Sequence, residues 1–520
     1  MLVRTFGSAV YGVEAITITV EVNVFDNSKK YYMVGLPDNA VKESLQRIES
    51  AMKTNGYYMP RTKLVINLAP ADIRKTGSSF DLAIAVGILA GSMQIRDLEK
   101  VKHFIIVGEL NLDGTILPIK GALPVALTAR REGFKGLIVP KANSKEAAMV
   151  TNLEVYGVSH IRDVVKFFKK DNYLQPIVVN TREEFFHSQY DFEFDFMDVK
   201  GQENIKRALE IAAAGGHNAI LIGPPGAGKT MLAKRLPTIL PPLSLQEALE
   251  TTKIHSVAGK LPENSTLVSK RPFRSPHHTI SDVALVGGGG IPQPGEISLA
   301  HNGVLFLDEL PEFKRTVLEV MRQPMEERRV TISRAKIALE FPASFMLIAS
   351  MNPCPCGFYN HPDKECSCGS LVVQKYLNKV SGPLLDRIDL HVEVTPVSFA
   401  ELSNQSSGEA SEKIRARVIG ARDIQALRYK DHPGTYCNAQ MSSKLLKDIC
   451  VIDTAGQNML KVAMDKLNLS ARAYDRILKV SRSIADLASS DRIRPEHLAE
   501  AIQYRSLDRE SWATSGHFTV

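Results

Sequence analysis

Apolar and polar residues alternate regularly near the beginning of the chain. The apolar positions of this stretch are Ile16, Ile18, Val20, Val22 and Val24. A period of two residues predicts a half-buried strand. Residues 41–52 instead carry apolar side chains at helical spacing, and Asp38 is suited to cap that helix. Similar patterns predict strands at 63–68, 104–107 and 137–139, and helices at 81–91 and 122–132. Residues 1–170 are therefore predicted to form one α/β domain.

The pattern changes after residue 170. Residues 171–198 have no regular period and are interpreted as a linker. Apolar runs at 219–222, 304–307 and 345–351 are typical of buried strands. Helical patterns then occupy residues 412–429, 442–467, 471–489 and 495–505. We therefore predict a second α/β domain over 199–394, a helical domain over 395–508 and a tail without pattern over 509–520.

A phosphate-loop motif follows the first of these apolar runs. Its pattern is G-x-x-x-x-G-K-[ST], formed here by Gly223, Pro224, Pro225, Gly226, Ala227, Gly228, Lys229 and Thr230. Glycines let backbone N–H groups turn toward phosphates at the start of a helix. Lys229 is expected to reach the β- and γ-phosphates, and Thr230 is expected to bind Mg²⁺. With a strand before it and a helix after it, the motif predicts a site for ATP.

Polar residues end the next two predicted strands. Asp308 and Glu309 follow the run 304–307, where Asp308 would hold Mg²⁺ and Glu309 would activate the attacking water. Asn352 ends the run 345–351 and can hold that water near the γ-phosphate. Taken alone, each residue could be an ordinary strand end or turn former. Their position downstream of a phosphate loop favours the catalytic interpretation.

Two arginines complete the predicted catalytic set. Arg387 lies between apolar residues in the sequence SGPLLDRIDL, and it is a candidate arginine finger supplied to a neighbouring subunit. Arg472 begins a predicted helix of the helical domain, from which it could reach the γ-phosphate. Salt-bridged surface arginines are the alternative, but the order of these residues after the other motifs favours the catalytic interpretation.

Composition sets the class of protein. The 520 residues are 44% hydrophobic and 23% charged, as in ordinary soluble proteins. No apolar run approaches the roughly 18 residues of a membrane span, and the first residues have no signal-peptide core. We therefore expect a cytoplasmic protein without a membrane partner.

The charge is compatible with a nucleic-acid partner. The net charge is +7, and two segments concentrate basic residues. Residues 270–278 contain Arg271 and Arg274, and a predicted hairpin at 328–336 contains Arg334 and Lys336. These four side chains are candidates for binding DNA phosphates without reading sequence. A solvated basic surface is the alternative.

Four of the six cysteines are concentrated in one loop. Cys354, Cys356, Cys366 and Cys368 form two C-x-C pairs separated by nine residues. Four thiolates in a short loop suit a tetrahedral, structural Zn²⁺. His361 or His391 could replace one of them as a ligand, and buried free thiols are the alternative.

The N-terminal domain resembles the peptidase domain of Lon-type proteases. The similar stretches are KTGSS at 75–79, GEL at 108–110 and GTILPI at 114–119. In that family a lysine activates a serine. The place of the serine falls on Ser79, whereas the place of the lysine falls on Leu123, and Lys120 lies three residues too early. Because a serine without a base is a weak nucleophile, we expect a non-catalytic domain.

Residues 199–508 resemble the magnesium-chelatase branch of the AAA+ ATPases, and the whole chain is similar to the YifB/ComM family. The most specific stretches are GGGGIPQPGE at 287–296 and SGPLLDRIDL at 381–390. The resemblance implies a P-loop AAA+ core with a helical lid, a hexameric ring, and basic insertions that face a central pore. For ComM members it implies ATP-driven branch migration of DNA during natural transformation. Alternatives are a chelatase-type subunit that drives metal insertion, and an ATP-dependent protease or unfoldase.

Overall fold

The computed structural model describes residues 1–25, 30–169, 173–261, 267–290, 292–334, 337–359, 361, 363–396, 408–467 and 469–505. The N-terminal strands are Leu2–Tyr11 (β1), Glu14–Phe25 (β2), Tyr31–Val34 (β3), Lys63–Ala69 (β4), Phe104–Ile106 (β5), Glu109–Leu110 (β6), Ile116–Leu117 (β7), Gly136–Pro140 (β8) and Glu154–Val158 (β9). The helices are Asn39–Thr54 (α1), Asp81–Gly91 (α2), Leu98–Lys102 (α3), Ala122–Arg131 (α4), Ser144–Ala148 (α5) and Ile161–Lys169 (α6).

The N-terminal domain is built on a mixed sheet of seven strands in the order β3-β4-β2-β1-β5-β8-β9. The alternation predicted for β2 is confirmed, since Ile18, Val20 and Val22 are fully buried. The predicted cap of α1 is also confirmed, because the Asp38 carboxylate accepts a hydrogen bond of 2.8 Å from the Val41 N–H.

The segment interpreted as a linker contains ordered structure. Thr181–Ser188 forms a helix (α7), and the side chains of Phe185 and Phe196 are buried. The interpretation of residues 171–198 as a linker stays a prediction, but the helix within this segment was not predicted. Two buried aromatic residues fix the segment, and a helix of eight residues is too short to give a clear period.

The second domain carries the motifs. Its strands are Ala219–Ile222 (β10), Phe273–Arg274 (β11), Gly287–Gly288 (β12), Gln293–Pro294 (β13), Val304–Leu307 (β14), Arg329–Arg334 (β15), Ile337–Pro342 (β16), Met346–Met351 (β17) and Leu390–Glu393 (β18). Its helices are Glu203–Gly215 (α8), Lys229–Arg235 (α9), Leu245–Ala258 (α10), Asp282–Val286 (α11), Glu296–Leu299 (α12), Arg315–Glu319 (α13), Arg322–Glu327 (α14), Ser370–Leu377 (α15) and Gly382–Leu385 (α16).

A five-stranded sheet with the order β11-β14-β17-β10-β18 forms the centre of this domain. All its pairs are parallel, and β10, β14 and β17 are buried along their whole length. Continuous apolar runs are expected for parallel strands covered on both faces. The carboxyl ends of β10, β14 and β17 meet at one edge, where ligands of such sheets bind.

The helical domain differs in one respect from its prediction. Its helices are Ser411–Arg428 (α17), Ser443–Ile449 (α18), Thr454–Leu467 (α19), Ala471–Leu487 (α20) and Pro495–Gln503 (α21). The single helix predicted over 442–467 is two helices. The break has a local cause, because the Asp453 carboxylate accepts a hydrogen bond of 2.7 Å from the Gly456 N–H and so caps a new helix.

The first two domains share a packed boundary at α10. Leu243 and Ala248 of the second domain belong to the same buried cluster as Leu123 and Ala126 of α4. The Gly121 N–H donates a hydrogen bond of 3.1 Å to the Ser256 carbonyl. None of the described helices has both the length and the apolar character needed to cross a bilayer.

Candidate nucleotide site and cysteine cluster

The phosphate loop occupies the turn between β10 and α9, as its motif predicts. Gly228 precedes α9 with φ +80°, a left-handed conformation that favours glycine. Gly223 needs its missing side chain for another reason, since a Cβ there would lie 2.4 Å from the Val394 carbonyl oxygen. Both glycines therefore serve the backbone path of the loop.

Lys229 lies inside this loop. Its Nζ donates to the carbonyl oxygens of Gly223 at 2.6 Å and Pro224 at 2.9 Å, and to Asn352 Oδ1 at 3.1 Å. Burial lowers the pKa of Lys229 to about 8, against the opposing attraction of Asp308 and Glu309. The structure thus brings the predicted residues at the ends of β10, β14 and β17 together.

Asp308 is oriented from both of its carboxylate oxygens. Thr230 Oγ1 donates to Oδ2 at 2.6 Å, and the Glu309 N–H donates to Oδ1 at 3.0 Å. The Ser350 hydroxyl also donates to Oδ1. A hydroxyl beside a carboxylate is a ligand pair suited to Mg²⁺, so Thr230 and Asp308 could hold that ion. Sequence reasoning missed Ser350, whose only signal is a hydroxyl inside an otherwise apolar strand.

Glu309 has an unusual backbone for a residue with a side chain. Its φ is +52°, a conformation that costs energy and often occurs at functional sites. The side chain is 58% exposed, and its Oε2 lies 3.5 Å from Nδ1 of His278. Sequence reasoning missed this contact, because His278 comes from the segment after β11, which neighbours β14 only in the folded sheet.

Arg387 and Arg472 lie in one neighbourhood, joined by Asp386. Arg387 is mostly buried; it donates to the Pro383 carbonyl at 2.6 Å and pairs with Glu326 at 2.6 Å. Arg472 is 63% exposed and pairs with the Asp386 carboxylate at 3.3 Å. In the single chain, both predicted catalytic arginines therefore have carboxylate partners of their own.

Two of the candidate DNA-binding residues are engaged within the chain. Arg271 is largely buried, donates to the Asn302 carbonyl at 2.8 Å and pairs with Glu247 at 3.3 Å. Arg274 makes a two-pronged contact with the Glu296 carboxylate at 2.6 and 2.8 Å. Both guanidinium groups therefore have carboxylate partners within the chain, and their assignment as DNA contacts stays a prediction.

The other basic segment forms the predicted hairpin. Strands β15 and β16 pair antiparallel, from Arg329 opposite Pro342 onward. The side chain of Arg334 and the whole of Lys336 lie outside the described residues. Their assignment as DNA contacts stays a prediction.

The four cysteines of the loop after β17 are gathered at one point. All four Sγ atoms lie within 4.8 Å of one another. The Sγ atoms of Cys354, Cys356 and Cys366 are separated by 3.3, 3.6 and 3.7 Å. A tetrahedron with Zn–S bonds of about 2.3 Å has edges of about 3.8 Å. The cluster therefore fits zinc with four thiolates, and neither His361 nor His391 is needed as a ligand.

The Lon-like region offers Ser79 no evident base among its described contacts. Leu123, at the position expected for the lysine, is fully buried, and its N–H donates to the Glu146 carboxylate at 2.9 Å. The stem of Lys120 packs near Gly259 at the end of α10, where a Cβ would lie 2.9 Å from Lys120 Cε. Both residues thus belong to the boundary with the second domain.

Comparisons with known proteins agree with this architecture. The chain matches the families described as magnesium chelatase subunit ChlI over residues 195–402, subunit ChlI of Mg-chelatase over 20–143, and the C-terminal part of that subunit over 408–505. It is 43% identical to competence protein ComM of Haemophilus influenzae over 510 residues, 98% of each chain.

Two further relatives match nearly the whole chain and a shorter part of it, respectively. The chain is 43% identical to the YifB protein of Salmonella typhimurium, with 96% of each chain covered. A shorter match, 31% identical over 189 residues, relates 31% of the chain to 33% of Lon protease 2 of Bacillus subtilis. The protein therefore belongs to the YifB/ComM family of magnesium-chelatase-like AAA+ ATPases, with a Lon-like N-terminal domain.

Proposed function

We propose that the protein is a cytoplasmic, Mg²⁺-dependent ATPase that assembles as a homo-hexamer and remodels single-stranded or branched DNA, acting as a branch-migration helicase in recombination and natural transformation. The observation that carries the proposal is the similarity to a competence protein over nearly the whole chain. The candidate nucleotide site, in which Lys229 contacts Asn352 and Thr230 contacts Asp308, supports it together with the basic net charge.

The residues of the site divide the work of ATP hydrolysis. The loop backbone and Lys229 bind the phosphates, while Thr230 and Asp308 hold Mg²⁺, which neutralises the charge that develops on them. Glu309 takes the proton of the attacking water, and Asn352 orients that water. Glu309→Gln should therefore bind ATP and fail to hydrolyse it, as a filter-binding assay paired with phosphate release would measure.

Hydrolysis is completed between subunits. Arg387 would exchange Glu326 for the γ-phosphate bound by a neighbour, and Arg472 would approach a nucleotide from the lid. Lys229→Ala and Arg387→Ala proteins should each be inactive, yet mixed rings contain interfaces with both residues intact. Mixing should restore part of the activity, and mixed rings without any recovery would contradict a role between subunits.

DNA binding is assigned to the β15–β16 hairpin. Two basic residues of this segment, Arg334 and Lys336, would contact phosphates, and affinity should then fall steeply with salt. Neutralising both should weaken binding and lower the salt slope by roughly one for each phosphate that is no longer neutralised. The test is strand exchange on a synthetic four-way junction with ATP and Mg²⁺. A double variant that migrates junctions as well as wild type would refute the assignment.

The cysteine cluster is assigned to structural zinc. Its four thiols have separations close to a zinc tetrahedron, and a closed site of this kind holds about one ion per chain. Elemental analysis of protein purified without added metal tests the assignment. Folded, active protein without zinc would refute it.

A chelatase-type role is the second candidate, because the matched family descriptions are those of a magnesium-chelatase subunit. An ATP-dependent protease or unfoldase is less well supported, since Leu123 occupies the position expected for the dyad lysine. Stimulation of ATP hydrolysis separates the three. Branched DNA should raise turnover under our proposal, whereas a response to porphyrin or to unfolded protein alone would favour one of the others.

A further inference from the structure

The cysteine loop lies directly on the phosphate loop. Gly357, one residue after Cys356, has φ +84°, and a Cβ built on it would lie 2.5 Å from Cδ of Pro225. Real Cβ atoms do not approach other atoms so closely. Glycine therefore allows the turn after Cys356 to pack against the ring of a residue inside the phosphate-binding motif.

The same loop is tied to the site at both of its ends. Before it, Asn352 Oδ1 accepts a hydrogen bond from Lys229 Nζ at 3.1 Å. After it, Tyr376 of α15 is buried in the same cluster as Met351, the residue before Asn352. Cys354 lies two residues beyond Asn352, is fully buried, and its carbonyl accepts from the Gly357 N–H at 3.0 Å.

We propose that zinc in the four-thiol site braces the phosphate loop and thereby sets the affinity for ATP. The inference rests on the proposed zinc site and assigns it a role. Cys354, Cys356, Cys366 and Cys368 would together hold the ion, so that the turn at Gly357 would lose little further freedom when nucleotide binds. Without the ion, the turn at Gly357 must be ordered against Pro225 at the expense of binding free energy. Zinc would thus act on nucleotide binding without touching the nucleotide.

The first test removes the ion and leaves the contact residues in place. Cys366 and Cys368 are changed together to serine in the full chain, and zinc content and the Kd for a fluorescent ATP analogue are measured. We expect zinc to fall from about one per chain to a trace, and the Kd to rise about tenfold or more, the effect of removing one ordering contribution of ordinary size.

The second test changes the contact and leaves the ligands in place. Gly357→Ala retains the four cysteines but puts a methyl group against Pro225, so zinc should stay at about one per chain while the Kd rises. Gly434→Ala is the matched control, because Gly434 also has a left-handed φ, +86°, and a Cβ there meets nothing within 4 Å. Both zinc content and Kd should be unchanged in it.

The two tests separate the brace from the zinc site itself. If purified wild-type protein contains no zinc, both the proposed zinc site and its proposed effect on ATP affinity are wrong. A cysteine variant that lacks zinc, retains its cooperative thermal transition and binds ATP as wild type does would leave the site standing and overturn the brace. If that variant does not fold, Gly357→Ala decides: wild-type affinity there overturns the proposal, and weaker affinity with retained zinc supports it.

Discussion

Ser350 is the residue whose replacement tests the geometry of the Mg²⁺ site most directly. It is fully buried on β17, and its hydroxyl donates to Oδ1 of Asp308. The Glu309 N–H donates to the same oxygen at 3.0 Å. The other carboxylate oxygen of Asp308, Oδ2, accepts a hydrogen bond of 2.6 Å from Thr230 Oγ1. Ser350→Ala should therefore leave the metal ligands in place and loosen the orientation of one of them.

The magnitude follows from the kind of hydrogen bond that is removed. A bond to a charged group contributes about 1.5 to 3 kcal/mol. We expect a loss at the lower end of this energy range, because the Glu309 N–H still donates a hydrogen bond to Asp308 Oδ1 in the variant. About 1.5 kcal/mol corresponds to roughly tenfold in an equilibrium constant. The gain in nucleotide affinity that Mg²⁺ provides should fall by that factor, while affinity measured without Mg²⁺ should not change.

The assay measures the Kd for a fluorescent ATP analogue in excess Mg²⁺ and in excess EDTA, and the ratio of the two is compared between proteins. Ser350→Thr retains the hydroxyl and should keep the wild-type ratio. Ser481→Ala controls for the loss of a buried serine, because its hydroxyl donates to the Ile477 carbonyl at 2.7 Å within α20. A ratio for Ser350→Ala equal to that of Ser481→Ala would refute the reasoning.

Three other predictions test neighbouring parts of the structure. Because the pKa of Lys229 is lowered to about 8 and the phosphates need its charged form, ATP affinity should be constant below about pH 8. It should then fall by up to about tenfold per pH unit above that value, and a Kd that stays flat to pH 10 in titrations would contradict this. Lys229→Ala should abolish nucleotide binding, measured by the same fluorescence titration, whereas Glu309→Gln should retain it. Ser79→Ala should change neither ATP turnover nor proteolysis of a casein substrate, since no lysine lies at the dyad position.

The nucleotide site could be predicted because its residues stand at the ends of long apolar runs. Asp308 and Asn352 are each the first polar residue after a strand, and a parallel sheet brings such ends to one edge. Ser350 could not be predicted in the same way. Its partner Asp308 lies on β14, and only the pairing of β14 with β17 brings the hydroxyl to that carboxylate.

The carboxylate partners of two arginines could not be predicted, because these partners are distant in the sequence. Arg271 and Arg274 stand in a basic segment, yet Glu247 and Glu296 lie opposite them in the fold. A cluster of basic residues in the sequence predicts a positive electrostatic potential, but it does not show which carboxylate each side chain will contact. Strand β1 was not predicted, because two of its buried positions, Thr5 and Ser8, are polar. They hide the alternation of apolar and polar residues that predicted β2.

The boundary between the first two domains explains what the Lon-like domain can contribute without a dyad lysine. The Glu146 carboxylate accepts hydrogen bonds from the Leu123 N–H at 2.9 Å and from the Ser256 hydroxyl on α10. Burial raises the pKa of Glu146, and a buried carboxylate is stable only when such donors satisfy it. Leu123, at the position expected for a catalytic lysine, therefore belongs to the packed boundary between the two domains.

The other end of α10 reaches the amino end of β14, at the sheet edge opposite the catalytic one. Glu247, in its first turn, pairs with Arg271 at 3.3 Å, and Arg271 donates to the Asn302 carbonyl at 2.8 Å. Asn302 stands just before β14, the strand that ends in Asp308. One helix thus connects the N-terminal domain to the strand that presents the Mg²⁺ ligand. Because α10 is held at both ends, a shift of β14 during ATP hydrolysis would have to move or strain the N-terminal domain.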